Sequence, residues 1–371
     1  MRILYWVQRF WPHIGGVEVH ATRFLRAMQE RGFELTVLTS PGDRDLPSVD
    51  SFEGIPVHRM RFEAALSSGD PAQIASVRRR ITALRRELGP HLVHLHLTDP
   101  SVFFHLITRH ERPCATLLSL RVMLEGDLDR NESVLSKALS AAEWITANST
   151  AVLTDLLAHR PEIAERSSVI HNALEPSDLS PTPLDFSAPT LLLLGRLVRD
   201  KGFDVALRAL SDVIRRHPAT RMIVAGDGPA RPELESLIAE LGLGDRVRFR
   251  GWVEPEKVPA LINEATLVVM PSRWREAFGL VALQAAQQAR PVLAARVGGL
   301  PEVVVDGESG ILFANEDHAE LARGIVRLLD DPRLAIRLGA TGRRLAGERF
   351  GWNRHLNRYT ELYQRLGGER E

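Results

Sequence analysis

Two cations close together draw attention first. In the stretch LGRLVRDKG, Arg196 and Lys201 share one loop between a strand-like run at 190–195 and a helical run at 203–217. Two positive side chains at the carboxyl end of a strand suit a diphosphate. Lys201 is one of three lysines, with Lys137 and Lys257, in a chain that otherwise uses arginine for positive charge. A second stretch, PSRWREAFGLVALQAA at 271–286, places Glu276 before Phe278, Gly279 and Leu280, where an apolar helix begins. The N–H groups of Gly279 and Leu280 would face phosphate oxygens. A carboxylate there repels a phosphate unless it turns towards hydroxyls. The combination points to a sugar joined to a diphosphate. Eight residues after Glu276 stands Gln284, an amide rather than a second carboxylate.

Three glycine-containing loops accompany these residues. PHIGGVE at 12–18 carries Gly15 and Gly16 between the first strand and the first helix, and it reads equally as a plain turn. The dinucleotide pattern G-x-G-x-x-G is absent there. AGDGP at 225–229 reads mainly as a tight turn. RVGGLPE at 296–302 offers a further pair of backbone donors.

The elements that must position these loops alternate. Strands are expected at 2–7, 33–39, 56–60, 92–96, 115–120, 144–147 and 168–170, with helices at 17–32 and 73–88. A proline-rich segment at 176–189 reads as a linker. The pattern restarts with strands at 190–195, 221–226, 247–251, 267–270 and 292–294 and helices at 203–217, 233–241, 318–329, 332–350 and 352–366. This is an α/β chain of two doubly wound halves, whose ligands belong at the carboxyl ends of strands.

Composition narrows the function classes. Lys+Arg and Asp+Glu are both 47, so the formal charge is zero, which removes the electrostatic case for nucleic-acid binding. A single cysteine, Cys114, excludes an intramolecular disulfide and a thiol metal cluster. No apolar run reaches membrane-spanning length, and the N-terminus reads as a strand rather than a signal peptide. A cytoplasmic protein is expected. Residues 75–88 carry Arg78, Arg79, Arg80, Arg85 and Arg86, and an apolar stripe runs through Ile74, Val77, Ile81, Leu84 and Leu88. Such a helix could touch an anionic membrane; a helix packed on its own sheet is the simpler reading of the same pattern.

In order, GRLVRDKG, AGDGP, FRGWV, PSRWREAFGLVALQAA and ARVGGLPEVVVDGESGILF resemble the C-terminal domain of the retaining glycosyltransferase family GT4, which has the two-Rossmann GT-B architecture. FWPHIGGVE resembles that family's N-terminal glycine loop, and the resemblance covers about residues 1–366. It implies an acceptor-side domain at 1–175, a linker at 176–189, a donor domain at 190–350 and a final helix at 351–371 crossing back to the first domain. It implies that Arg196 and Lys201 hold the donor diphosphate and that Glu276 contacts donor-sugar hydroxyls. Phe278, Gly279 and Leu280 would meet the phosphate, Trp252 and Val253 would border the nucleobase, and Gly15 and Gly16 would close over the donor. Two positions depart from the family. Gln284 replaces the second glutamate of E-x7-E, which grips the ribose, and Ser119 stands where a histidine contacts the donor sugar. His94 and His96 lie at the end of another strand, and His96 joins Ser119 as a candidate sugar or acceptor contact.

The implied activity is a retaining transfer of a sugar from a nucleotide sugar, UDP- or GDP-linked, to a hydroxyl on a glycan, lipid-linked or small-molecule acceptor. No metal and no cofactor is expected. The competing reading is a degenerate relative that binds a nucleotide sugar or a partner subunit without turnover, which Gln284 and Ser119 favour. Another GT-B reaction, epimerisation or phosphorolysis, ranks below both.

Overall fold

The computed structural model describes residues 1–13, 15–97, 101–123, 133–273 and 276–368. Residue contacts divide the chain into two units, 1–171 with 353–371, and 172–352.

In the first unit the described strands are β1 (Arg2–Trp6), β2 (Glu34–Thr39), β3 (Val49–Phe52), β4 (Ile55–Arg59), β5 (Leu92–Leu97), β6 (Ala115–Leu120), β7 (Trp144–Ala147) and β8 (Ser167–Val169). They form one sheet in the order β3-β4-β2-β1-β5-β6-β7-β8. All neighbours are parallel except β3 and β4. The chain builds outward from β1 to one side, then jumps to β5 on the other, so a topological switch point lies between β1 and β5. β3 is an element that the sequence pattern did not announce. It pairs with β4 through a two-residue turn at Glu53-Gly54, both with positive φ. That is the geometry of a primed hairpin turn, here with glutamate where Asn or Asp would have signalled it.

The second unit repeats the plan with β9 (Thr190–Leu194), β10 (Arg221–Ala225), β11 (Val247–Gly251), β12 (Leu267–Met270), β13 (Val292–Ala295) and β14 (Gly310–Phe313). The order β11-β10-β9-β12-β13-β14 is parallel throughout, with its switch point between β9 and β12. Both faces of this sheet are covered, which is why TLLLL and LVVM are unbroken apolar runs rather than alternating ones. Leu191, Leu193 and Val269 pack with helices Phe203–Val213 and His318–Asp330. Leu192, Val268 and Ala294 pack with helices Val258–Glu264 and Leu280–Gln287.

The segment expected as a linker is built into the second unit. Arg290, 1% exposed, donates to the Thr182 carbonyl at 2.7 Å and to its hydroxyl at 2.6 Å. The Thr266 hydroxyl donates to the Asp185 carbonyl at 2.7 Å, and Leu184 and Phe186 pack on the core. The division falls instead at His171/Asn172 and at Trp352/Asn353. The last helix, Trp352–Gly368, belongs from Asn353 onward to the first unit.

The helix Pro71–Leu88 starts on an Asp70 cap and ends at Gly89 in the left-handed region. Its buried stripe is Val77, Ile81, Leu84 and Arg85. The apolar face is therefore spent on the protein core, and Arg78, Arg79, Arg80 and Arg86 are what reaches solvent. That removes the apolar half of a membrane-contact face. Arg85 is not on the basic face at all; it is fully buried. No described helix is long and apolar enough to cross a membrane.

Candidate active site

The second unit gathers its chemistry at the β9/β12 switch point. The loop after β9 carries Arg196 and Lys201, and the loop after β12 carries Glu276. Lys201 Nζ lies 2.6 Å from Glu276 Oε2, with the two side chains 32% and 20% exposed. Ser272 Oγ donates to the same carboxylate oxygen at 3.4 Å. Among the described residues Glu276 Oε1 has no partner. Arg196 is exposed, and its guanidinium has no hydrogen-bond or ion-pair partner among the described residues.

Close backbone contacts hold these loops in place. Gly202 (φ +63°) lies against Pro271, so a Cβ would stand 2.0 Å from the Pro271 carbonyl oxygen. Gly298 (φ +52°) lies equally close to Glu276, where a Cβ would meet the Glu276 oxygen at 2.1 Å. Gly299 N–H donates to the Glu276 carbonyl at 2.7 Å. The Gly298-Gly299 pair thus seats the Glu276 backbone, and Gly299 spends its donor on that carbonyl. The AGDGP loop is likewise structural at its carbonyls: Leu197 N–H donates to Asp227 O at 2.9 Å, and Gly195 N–H to Ala225 O at 3.0 Å.

One bracing residue escaped sequence reasoning. Arg273 makes two 2.6 Å bonds to Asp204 and an ion pair to Glu316, and its N–H donates to Asp200 O at 2.8 Å. It ties the Lys201 loop to the end of β12. The Asp204 and Glu316 carboxylates raise its proton affinity further, so it stays charged. Its only signal in the sequence is a position three residues beyond a buried strand, which many surface arginines share.

Gly279 (φ +100°) precedes the helix Leu280–Gln287, whose first intrahelical bond runs from Leu283 N–H to Gly279 O at 3.2 Å. The N–H groups of Leu280, Val281 and Ala282 have no partner within the helix. Phe278 is 2% exposed and packs edge-on against Phe350 at 5.3 Å, so its ring is core and only its backbone faces the loop. Gln284 is half-buried one turn beyond Leu280 on the same helix stripe, and its amide has no partner among the described residues. Trp252 follows β11 and is 57% exposed, whereas Val253 packs into the core.

In the first unit, Gly15 caps helix Gly16–Glu30. The Glu18 carboxylate folds back over Gly15 and fills the place a Cβ would take. That helix start already faces an anion of its own. Tyr5, His94, His96, Ser119 and Thr146 share one face of the sheet. His94 bonds Tyr363 Oη at 2.6 Å and Ser119 Oγ at 2.7 Å. Ser119 Oγ also meets Thr146 Oγ1 at 2.7 Å and Tyr359 Oη at 3.3 Å. These neighbours use the full capacity of a hydroxyl. Ser119, 2% exposed, is thus a clasp for the final helix and has nothing left for a sugar. His96 is 5% exposed with neither ring nitrogen bonded. Burial pushes both histidines far below the ordinary imidazole range. His94 adds to this at His96, and Arg121 adds to it at both, so each is neutral. Among the described residues no group of three His, Cys, Asp or Glu side chains is arranged to hold a metal ion.

Known proteins share this plan. The profile described as "Glycosyl transferases group 1" matches residues 180–345, and "Glycosyltransferase Family 4" matches 14–178. A D-inositol 3-phosphate glycosyltransferase of Thermobispora bispora is 30% identical over 94% of this chain and 89% of its own. The chain belongs to the group 1, family 4 glycosyltransferases. Several relatives match over only about half their length, among them an α-D-kanosaminyltransferase of Streptomyces kanamyceticus, 35% identical over 48% of this chain and 46% of that one. The fold is GT-B. Sucrose-phosphate synthase from Thermosynechococcus elongatus superposes with a TM-score of 0.82 at 22% identity, covering 99% of both chains. The Anabaena protein HepE, solved with UDP-glucose, gives 0.82 at 23% identity over 99% of this chain and 100% of that one.

Proposed function

We propose that this glycosyltransferase moves a sugar from a nucleotide-diphospho-sugar to an acceptor hydroxyl with retention of configuration, using its own cations where other transferases use a divalent metal. The observation that carries the reading is the meeting of Lys201 and Glu276 at 2.6 Å, on the same loops as Arg196, unpartnered among the described residues, and the helix start at Leu280. In the reaction the bond from the anomeric carbon to the diphosphate oxygen breaks, and the acceptor oxygen bonds that carbon on the same face. Charge develops on the departing phosphate. Arg196, Lys201 and the helix N-terminus would stabilise it. The ammonium of Lys201 has three donors, so it can keep Glu276 and still reach a phosphate. Glu276 Oε1 is left for sugar hydroxyls. The acceptor proton passes to the leaving phosphate oxygen, so no protein base is required.

The reading also gives roles to other residues. Trp252 offers an exposed ring to the nucleobase, and Gln284 offers a neutral amide to the ribose. In the first unit, His96 is the neutral imidazole that can bond a sugar or acceptor hydroxyl. Because Glu18 already occupies the helix start, Gly15 and Gly16 suit the uncharged part of the donor. HepE has been solved with UDP and UDP-glucose, and a mannosyltransferase of Mycolicibacterium smegmatis is GDP-mannose-dependent; both bases are therefore candidates here.

The test incubates the purified chain with UDP- or GDP-sugars and EDTA, with and without glycan, lipid-linked and small-molecule acceptors. Nucleoside diphosphate release and the anomeric configuration by proton NMR are read. Acceptor-dependent release with retention in EDTA supports the reading. An absolute need for a divalent ion sinks the metal-independent part. Binding without turnover would leave the degenerate binder, the reading that Gln284 favours.

A further inference from the structure

Arg85 is 0% exposed, and among the described residues no carboxylate reaches it. Its guanidinium donates to the Arg112 carbonyl at 3.3 Å, approaches His105 Nδ1 at 3.5 Å and points Nη2 at Cys114 Sγ at 3.6 Å; Nε has no partner. His105 cannot serve as a counter-ion. Burial, and then the positive charge of Arg85, lowers its pKa to about 3, so it is neutral. The acidic groups on neighbouring segments answer to others: Glu111 pairs with Arg86 and Arg78, and Glu143 accepts from the Thr116 N–H. Arg109 adds a second positive charge beside Arg85. A buried cation without an anion is costly, as breaking a buried ion pair by removing one partner shows. Among the described residues the one group in contact that can become an anion is the half-buried thiol of Cys114, at the amino-terminal edge of β6, the opposite end of that strand from Ser119.

We propose that Cys114 stands as a thiolate paired with the buried guanidinium of Arg85, and that it is a modification site for soft electrophiles and hydroperoxides. With a hydroperoxide, the sulfur lone pair attacks the terminal peroxide oxygen. An S–O bond forms, the O–O bond breaks, and hydroxide (or alkoxide) leaves. Sulfur is oxidised to the sulfenic acid and the peroxide is reduced. Either modification removes the anion that Arg85 faces, so modified protein loses stability in the first unit while Lys201 and Glu276 in the second are untouched.

The experiment follows iodoacetamide alkylation of the full chain by intact mass between pH 5 and 10; a single cysteine gives a single adduct. The same chain in urea supplies the unfolded reference, near the ordinary thiol value of about 8.5. The native midpoint is expected at least one pH unit below that of the urea sample. Arg85→Met should erase the difference, and Arg86→Met, which alters only a surface pair with Glu111, should keep it. A native midpoint at or above the urea value overturns the proposal, whether or not Arg85→Met folds. An equal shift in both variants overturns it as well.

Discussion

Replacing Ser119 with histidine would install the residue that the family resemblance implies at this position, and resemblance alone predicts a better enzyme. The packing predicts a worse protein. Ser119 Oγ sits 2.7 Å from both His94 Nε2 and Thr146 Oγ1, under the Tyr359 hydroxyl, at 2% exposure. Histidine adds four heavy atoms to this closed space, and overpacking costs about 1–3 kcal/mol. It also removes the hydroxyl that joins His94 to Thr146, and an unsatisfied buried polar group costs about 1–3 kcal/mol. The sum is about 4 kcal/mol. For a unit of this size that lowers the melting temperature by about 10 °C. The loss should appear where the final helix docks, because Tyr359 and Tyr363 share the same bonds. Differential scanning calorimetry gives the shift, and hydrogen exchange read by mass spectrometry locates it at 353–368. A Ser119→His protein that melts within about 2 °C of the parent and shows higher kcat/KM would refute this account of the clasp.

Removing Arg196 or Lys201 with Met should lower kcat by about 10²–10³, since each is a donor to charge that develops on the leaving phosphate; steady-state rates at saturating donor check it. Gln284→Glu restores a charge-assisted bond worth on the order of 1 kcal/mol, so nucleotide affinity by calorimetry should rise about fivefold. Acid should unfold the first unit before the second. Burial first, then Arg85 and Arg121 respectively, lowers His105 and His355 to about 3, and His20, His94 and His96 are lowered too, again chiefly by burial. The unfolded chain binds those protons below its ordinary value near 6.5 while the native chain does not. Stability is therefore whole above about pH 6.5 and falls as pH drops towards 3. At pH 5 His105 and His355 each cost about 2 kcal/mol, and His20, His94 and His96 act in the same direction. Hydrogen exchange at pH 7 and pH 5 should show the first unit losing protection selectively; equal loss in both units would contradict it.

Most strands and the second-unit loops were legible because their causes are local, whereas β3 and β14 were not announced. Runs such as TLLLL declare a buried parallel strand, and glycine next to Arg196 and Lys201, and three residues after Glu276, marks the turns between strand and helix. Residues whose role depends on distant partners were not legible. Nothing near Arg273 in sequence announces Asp204 or Glu316, and nothing around Ser119 announces a tyrosine 240 residues away. Arg85 fell on an arginine-rich helix, where charge pattern suggests solvent, yet its place in the stripe with Val77, Ile81 and Leu84 buries it. The proline-rich segment read as a linker by composition; the arginine that fastens it, Arg290, lies over a hundred residues downstream.

The return of the last helix has a consequence for biosynthesis. The first unit occupies the beginning of the chain and also its last nineteen residues, 353–371, with the whole second unit between them. A ribosome working from the N-terminus makes the sheet of the first unit long before it makes Tyr359 and Tyr363. The second unit is contiguous and can close as soon as it emerges. During that interval His94, Ser119 and Thr146 lack the hydroxyls that later cover them. The first unit is begun before the second and completed after it, and a stalled ribosome before residue 353 leaves a folded second unit attached to a first unit with one face still open.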